Sequence, residues 1–159
     1  MSFETLSSLL WRERQLLELL LFKLEEEQLL LVNGRNRWLA HATREVENVL
    51  DQVRDSELGR AVASDAVAAD LGIAPGASLA EVAAAAPAPW DSLLAEHRQA
   101  FVTLTMEIGA LAAGNRELLA AGHRAAQETL MAVSETVQTY DARGAAARPA
   151  GASLLDQTL

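Results

Sequence analysis

Between Ser2 and Asn33 apolar residues return at alternating intervals of three and four. The series is Phe3, Leu6, Leu10, Glu13, Leu17, Leu20, Leu24, Glu27 and Leu31. Seven of its nine positions are apolar, which keeps one side of an α-helix hydrophobic and makes a heptad-like seam. Leu9, Leu16, Leu19 and Leu30 widen the stripe, so this helix is expected to touch more than one neighbour. Asn33-Gly34 ends it, because glycine readily takes the left-handed conformation that closes a helix C-terminus. The acidic run Glu25-Glu26-Glu27 reads as a solvated face.

A second helix is expected over about 35–71. Leu39, Ala42, Val46, Val49, Leu50 and Val53 form its seam, with Arg44, Glu45, Glu47, Asp51, Arg54 and Asp55 on a face of mixed charge. Near Gly59 it either continues or breaks. From 72 to 89 the composition shifts to alanine, with Gly72, Pro75, Gly76, Pro87 and Pro89 as punctuation. This reads as a connector crossing the surface and carrying one or two helical turns. Ser78 followed by Glu81 has the form of a capping box opening a short helix to about Ala86.

The third long helix is expected over about 90–139, following Pro89. Its seam reads Trp90, Leu94, His97, Phe101, Leu104, Ile108, Leu111, Asn115 and Leu118, then drifts to Ala126, Leu130, Val133 and Val137. Some 48 residues would span about 70 Å, more than either partner helix, unless Gly109, Gly114 or Gly122 lets it bend. Residues 141–159 are rich in Gly, Ala and Pro and are expected to form a flexible tail. The fold class is therefore all-α: one domain over 1–140, an antiparallel bundle of three long helices joined by an Ala/Pro-rich connector.

Composition narrows the function. Half of the 159 residues are hydrophobic while only 4% are aromatic, and Leu and Ala dominate, which favours helix. The absence of Cys excludes disulfides, thiolate metal sites and a Cys nucleophile. A formal charge of −9 would repel phosphate backbones, so nucleic acid is not an expected partner. The N-terminus has no basic segment or small-residue cleavage site, and no apolar run approaches the roughly 18 residues of a membrane span. A cytoplasmic protein without stable membrane insertion is expected.

Catalytic templates fail. There is no phosphate-binding loop, no dinucleotide fingerprint and no nucleophile elbow. A di-iron bundle needs Glu-x-x-His, but Trp38, Leu94 and Ala120 stand three residues before His41, His97 and His123. No enzyme, metal or cofactor is expected. His97 falls on a seam and reads as a partly buried, hydrogen-bonded core residue; His41 and His123 read as half-exposed. Asn115 lies on the seam between Leu111 and Leu118. There it either sets helix register or serves as a polar anchor in a groove that accepts another helix. The stripe Leu118, Leu119, Ala126, Leu130, Val133, Val137 and Tyr140 reads either as core or as an exposed site for an amphipathic partner helix.

The segment Leu111-Ala-Ala-Gly-Asn115-Arg-Glu-Leu-Leu119, with Arg124, Leu130 and Thr139-Tyr140-Asp141-Ala142-Arg143-Gly144, resembles the C-terminal half of FlgN-like flagellar export chaperones. The Leu-rich first helix with Glu25-Glu-Glu-Gln-Leu-Leu30 is similar as well. Where the family pattern has Asn-Gly, this chain has Asn115-Arg116. The resemblance implies a cytoplasmic chaperone of the type III export system. Its partners would be the C-terminal amphipathic helices of hook–filament junction proteins and the flagellar export gate. Carried over, Asn115, Leu118, Leu119, Ala126, Leu130, Val133 and Val137 would contact the client helix, and Tyr140 would dock at the gate. The alternative is a self-associating coiled-coil scaffold or adaptor with no client, which leaves a homodimer open.

Overall fold

A computed structural model describes residues 2–142, with side chains placed for 2–139. Helix α1 spans Phe3–Val32. Ser2 caps its start, the Oγ accepting from the Thr5 amide at 3.2 Å. Gly34, at φ +64°, turns the chain out of it. The buried residues of α1 are Leu6, Leu10, Glu13, Leu17, Leu20, Leu24 and Glu27, seven consecutive members of the sequence seam from Leu6 onward. Glu27 is thus a correction to the solvated acidic run: only Glu25 and Glu26 of that run escape burial.

Helix α2, Asn36–Asp70, runs unbroken through Gly59. Thr43 bonds Glu27 and Arg60 meets Glu13, so residue numbers rise along one helix as they fall along the other, and α1 and α2 are antiparallel. Helix α3 is Leu79–Ala85, opened by the Ser78 capping box. The Glu81 carboxylate accepts from the Ser78 amide at 2.7 Å, and these bonds hold its pKa below the usual carboxylate range. The segment does more than cross the surface. Val82 and Ala83 are buried in a cluster with Leu6, Leu10, Ala63, Val67 and Leu94, against which Ile73, Ala77, Leu79 and Ala86 also pack. The expected connector is therefore the cover of one end of the core.

Helix α4 spans Trp90–Ala142, passing Gly109, Gly114 and Gly122 without interruption. Trp90 stacks on Phe3 with ring centroids 5.5 Å apart, His97 meets Trp11, and Asn115 reaches Leu24. Here residue numbers rise together, so α1 and the first part of α4 run in the same direction, and α2, antiparallel to α1, is antiparallel to that part of α4 as well. Phe101, Leu104, Ile108 and Leu111 pack on a second cluster of Leu17, Leu20, Leu24, Val46, Val49 and Val53. The chain divides into two compact units, one ending at Arg116 and the other beginning at Glu117. Beyond Ala142 the expected tail lies outside the described residues.

His97 is buried, with Nε2 3.4 Å from the Ser7 hydroxyl and its ring edge-on to Trp11. Burial pushes its pKa below the usual value and the Arg14 guanidinium adds to the effect. As pH falls below about 6.5, the unfolded chain takes up a proton that the folded imidazole resists, so stability declines. Glu13 has the opposite slope. Burial raises its pKa despite Arg60, so the folded state gains stability as pH falls through that raised value. The expected result is that His97→Gln flattens the decline below pH 6.5 in urea midpoints. Parallel curves for the two proteins would show that His97 does not titrate with folding.

Candidate functional site

From Glu117 to Thr139 every side chain of α4 is exposed. At 100° per residue, Leu119, Ala126, Leu130, Val133 and Val137 fall within about 40° of a common direction. Leu130 is 64% exposed, and Leu119, Val133 and Val137 are each more than one third exposed. Among the described residues of the second unit nothing covers this apolar face, which His123 interrupts four residues after Leu119. An exposed apolar stripe of this length on a helix is the form that receives a partner helix.

The ionic side chains of this stretch are Glu117, Arg124, Glu128 and Glu135. By the same rotation all four lie within about 20° of the direction opposite the stripe. Thr129 and Thr136 flank the apolar face, and each hydroxyl donates to its own helix, to Ala125 O and Ala132 O at 2.9 Å. The arrangement can bury apolar surface; the one titratable side chain on that side is His123, which interrupts the apolar series between Leu119 and Ala126.

The other residues singled out by sequence are placed differently. Leu118 is exposed but sits about 100° from Leu119, on the flank with Ala125 and Thr129. Asn115 belongs to the first unit and is 1% exposed. Its Nδ2 donates to Leu24 O at 2.9 Å and to Glu27 Oε1 at 3.1 Å. Its Oδ1 is buried without a hydrogen-bond partner among the described residues. The Tyr140 side chain lies outside the described residues. Sequence reasoning missed Met131, 63% exposed, because its spacing places it beside the ionic arc.

The first unit carries a hollow of about 510 Å³ at the α1–α2 turn, lined in part by Leu29, Leu30 and Trp38. Three ion pairs stand beside it. Lys23 meets Glu26 and Glu45 at 3.3 and 3.0 Å, and His41 meets Glu45 at 3.2 Å. The hydrogen bond to Glu45 holds the Lys23 pKa above its usual value. Among the described residues no group of three or more His, Asp or Glu could hold a metal, and no helix is long and apolar enough to cross a membrane.

No curated protein and no solved structure matches the chain. A family model described as FlgN protein matches residues 1–148, from the first helix past the end of the exposed stripe. With nearly the full length of the chain under that match, this protein belongs to the FlgN family.

Proposed function

We propose that this chain is a cytoplasmic export chaperone of the flagellar type III system. It binds the C-terminal amphipathic helices of hook–filament junction proteins, prevents their premature assembly and delivers them to the export gate. The observation that carries the reading is the exposed apolar face of Leu119, Ala126, Leu130, Val133 and Val137, in a member of this family. Leu118 borders that face, and Asn115 keeps its structural place in the first unit. No catalytic step is needed. Burying a few anchor side chains gives about 25 cal/mol per Å², and ordering of the client offsets much of it. Affinity stays moderate, and the client can be handed on without a chemical energy source. The acidic surface, with a formal charge of −9, keeps the escort off anionic lipid.

The test is titration of the chain with a peptide of a junction protein's C-terminal helix. Saturable binding is expected. Absence of binding, or binding untouched by truncation after Ala120, overturns the reading. The runner-up is a self-associating scaffold that buries the same face against its own copy. Sedimentation separates the two, since a tight client-free dimer that Leu130→Glu turns into a folded monomer favours the scaffold. For Tyr140 the proposed role is gate docking. Tyr140→Ala is expected to leave client affinity within about twofold while weakening capture by the export gate; equal loss of both would remove that division of roles.

A further inference from the structure

We propose a second docking surface, on the first unit: the hollow at the α1–α2 turn seats apolar side chains of an acidic peptide whose carboxylates meet Arg37 and Arg44. Charge marks the place. The chain carries a formal −9, yet residues 28–44 hold three Arg and one His and no Asp or Glu. Arg37, His41 and Arg44 follow one another at intervals of four and three. They therefore share one side of α2 and form a ridge about 10 Å long. Among the described residues none of Arg35, Arg37 and Arg44 enters an ion pair. The two acids that line the hollow, Glu26 and Glu45, are both held by Lys23, and Glu45 by His41 as well. The arginines are the charges left over, in a molecule of opposite net sign, and their complement is a carboxylate.

The hollow supplies the anchor. Its volume, about 510 Å³, is within the range of sites that take a ligand, and Leu29, Leu30, Trp38 and Ala42 give it apolar walls. Leu29 is 62% exposed and Trp38 53%, so a large aromatic face stands half open beside the ridge. The Arg37 guanidinium lies over the Trp38 ring, 4.9 Å from its centroid, so ridge and hollow share a wall. A carboxylate bonded to Arg37 would thus stand next to an apolar side chain resting on Trp38. A peptide that mixes Leu or Phe with Asp or Glu meets both demands. An anionic bilayer meets them less well: a hollow has nothing to insert, and the net charge of the chain opposes the approach.

The probe is a synthetic acidic helix with Glu at positions i and i+7, which matches the length of the ridge, and Leu and Phe between them on the same side. Its counterpart has Gln for Glu. Both are titrated into the wild type, the double variant Arg37→Gln with Arg44→Gln, Trp38→Ala and Leu130→Glu, with thermal unfolding of each. Both arginines are exposed and Gln forms helix nearly as well, so the double variant should keep its unfolding temperature. The acidic peptide is expected to bind the wild type about tenfold more tightly than the neutral one. The double variant should lose about tenfold for the acidic peptide and no longer tell the two apart. Trp38→Ala should weaken both peptides about tenfold, and Leu130→Glu should change neither. No saturable binding of the acidic peptide up to about 1 mM overturns the proposal, as does binding that the double variant and Trp38→Ala leave within about twofold. A loss in Leu130→Glu equal to that in Trp38→Ala would put the peptide on the second unit and overturn it too. Two further measurements test other occupants. Co-sedimentation with phosphatidylglycerol vesicles that Trp38→Ala abolishes would mean a membrane contact, and a dimer that Trp38→Ala abolishes would mean a second copy; either overturns the acidic peptide. The chaperone reading has its own test, a junction-protein helix read against truncation after Ala120, so the two can fail separately.

Discussion

Leu130→Glu is expected to reduce client-helix affinity by about a hundredfold, on the order of 3 kcal/mol, with the unfolding temperature nearly unchanged. Leu130 is 64% exposed, so the folded chain loses little packing when it is replaced. Leu and Glu are similar helix formers, so α4 itself is not weakened. In the complex the position changes character. It stands mid-stripe, in phase with Ala126, Val133 and Val137, and no cation of the stretch lies on that side, Arg124 being on the opposite arc. A carboxylate there would be dehydrated against an apolar client face, or would hold the client off altogether. Calorimetric titration with parallel circular dichroism measures both quantities. Binding within threefold of the wild type, in a folded variant, would move the client away from this face. By contrast, Leu94 is fully buried in the core, and Leu94→Glu would lose binding through unfolding, which the dichroism reports.

The phase of each helix was legible from spacing, because the core side of α1 is a periodic property of the chain. The chemistry at each phase was harder to read. Glu27 looks like the last of three solvated acids, yet it occupies a seam position and is buried. Its period was the better guide than its charge. The Ala-rich stretch before Pro87 gave no amphipathic contrast, so nothing marked Val82 and Ala83 as core; the Ser78–Glu81 box showed only where a helix would start. The exposed stripe is a third case. Its spacing is that of a core, and periodicity cannot tell a covered face from an open one. The length of α4, 53 residues against 30 and 35 for α1 and α2, was the signal that some of it lacks cover. Asn115 was found by its place on the seam, while its partners on another helix, Leu24 and Glu27, could come only from the packing.

Those partners define the second large effect. Glu27 is 5% exposed and joins three helices through one carboxylate: Oε2 accepts from Thr43 Oγ1 at 3.0 Å and Oε1 from Asn115 Nδ2 at 3.1 Å. Both donors are neutral side chains, so the buried Glu27 carboxyl group is held by hydrogen bonds. Asn115→Leu removes one of the two and sets an apolar side chain against a carboxylate that remains in place, at an expected cost of about 3 kcal/mol. Glu27→Met alone is expected to cost less, about 1 kcal/mol, because Asn115 keeps its bond to the Leu24 carbonyl and Thr43 is only half-buried, within reach of water. Combining them removes both sides of the contact and replaces them with apolar groups of similar volume. The double variant is therefore expected to be more stable than Asn115→Leu alone, with a coupling of about 2 kcal/mol in the mutant cycle. Chemical denaturation of the four proteins measures it. If the network serves register as well as stability, the double variant should remain folded yet show broadened amide signals from α4, since a polar pin on a seam penalises neighbouring registers that an all-apolar seam tolerates. Strictly additive costs would show that Glu27 and Asn115 act separately, and a sharp spectrum in a stable double variant would show that the apolar seam suffices to hold α1 and α4 in line.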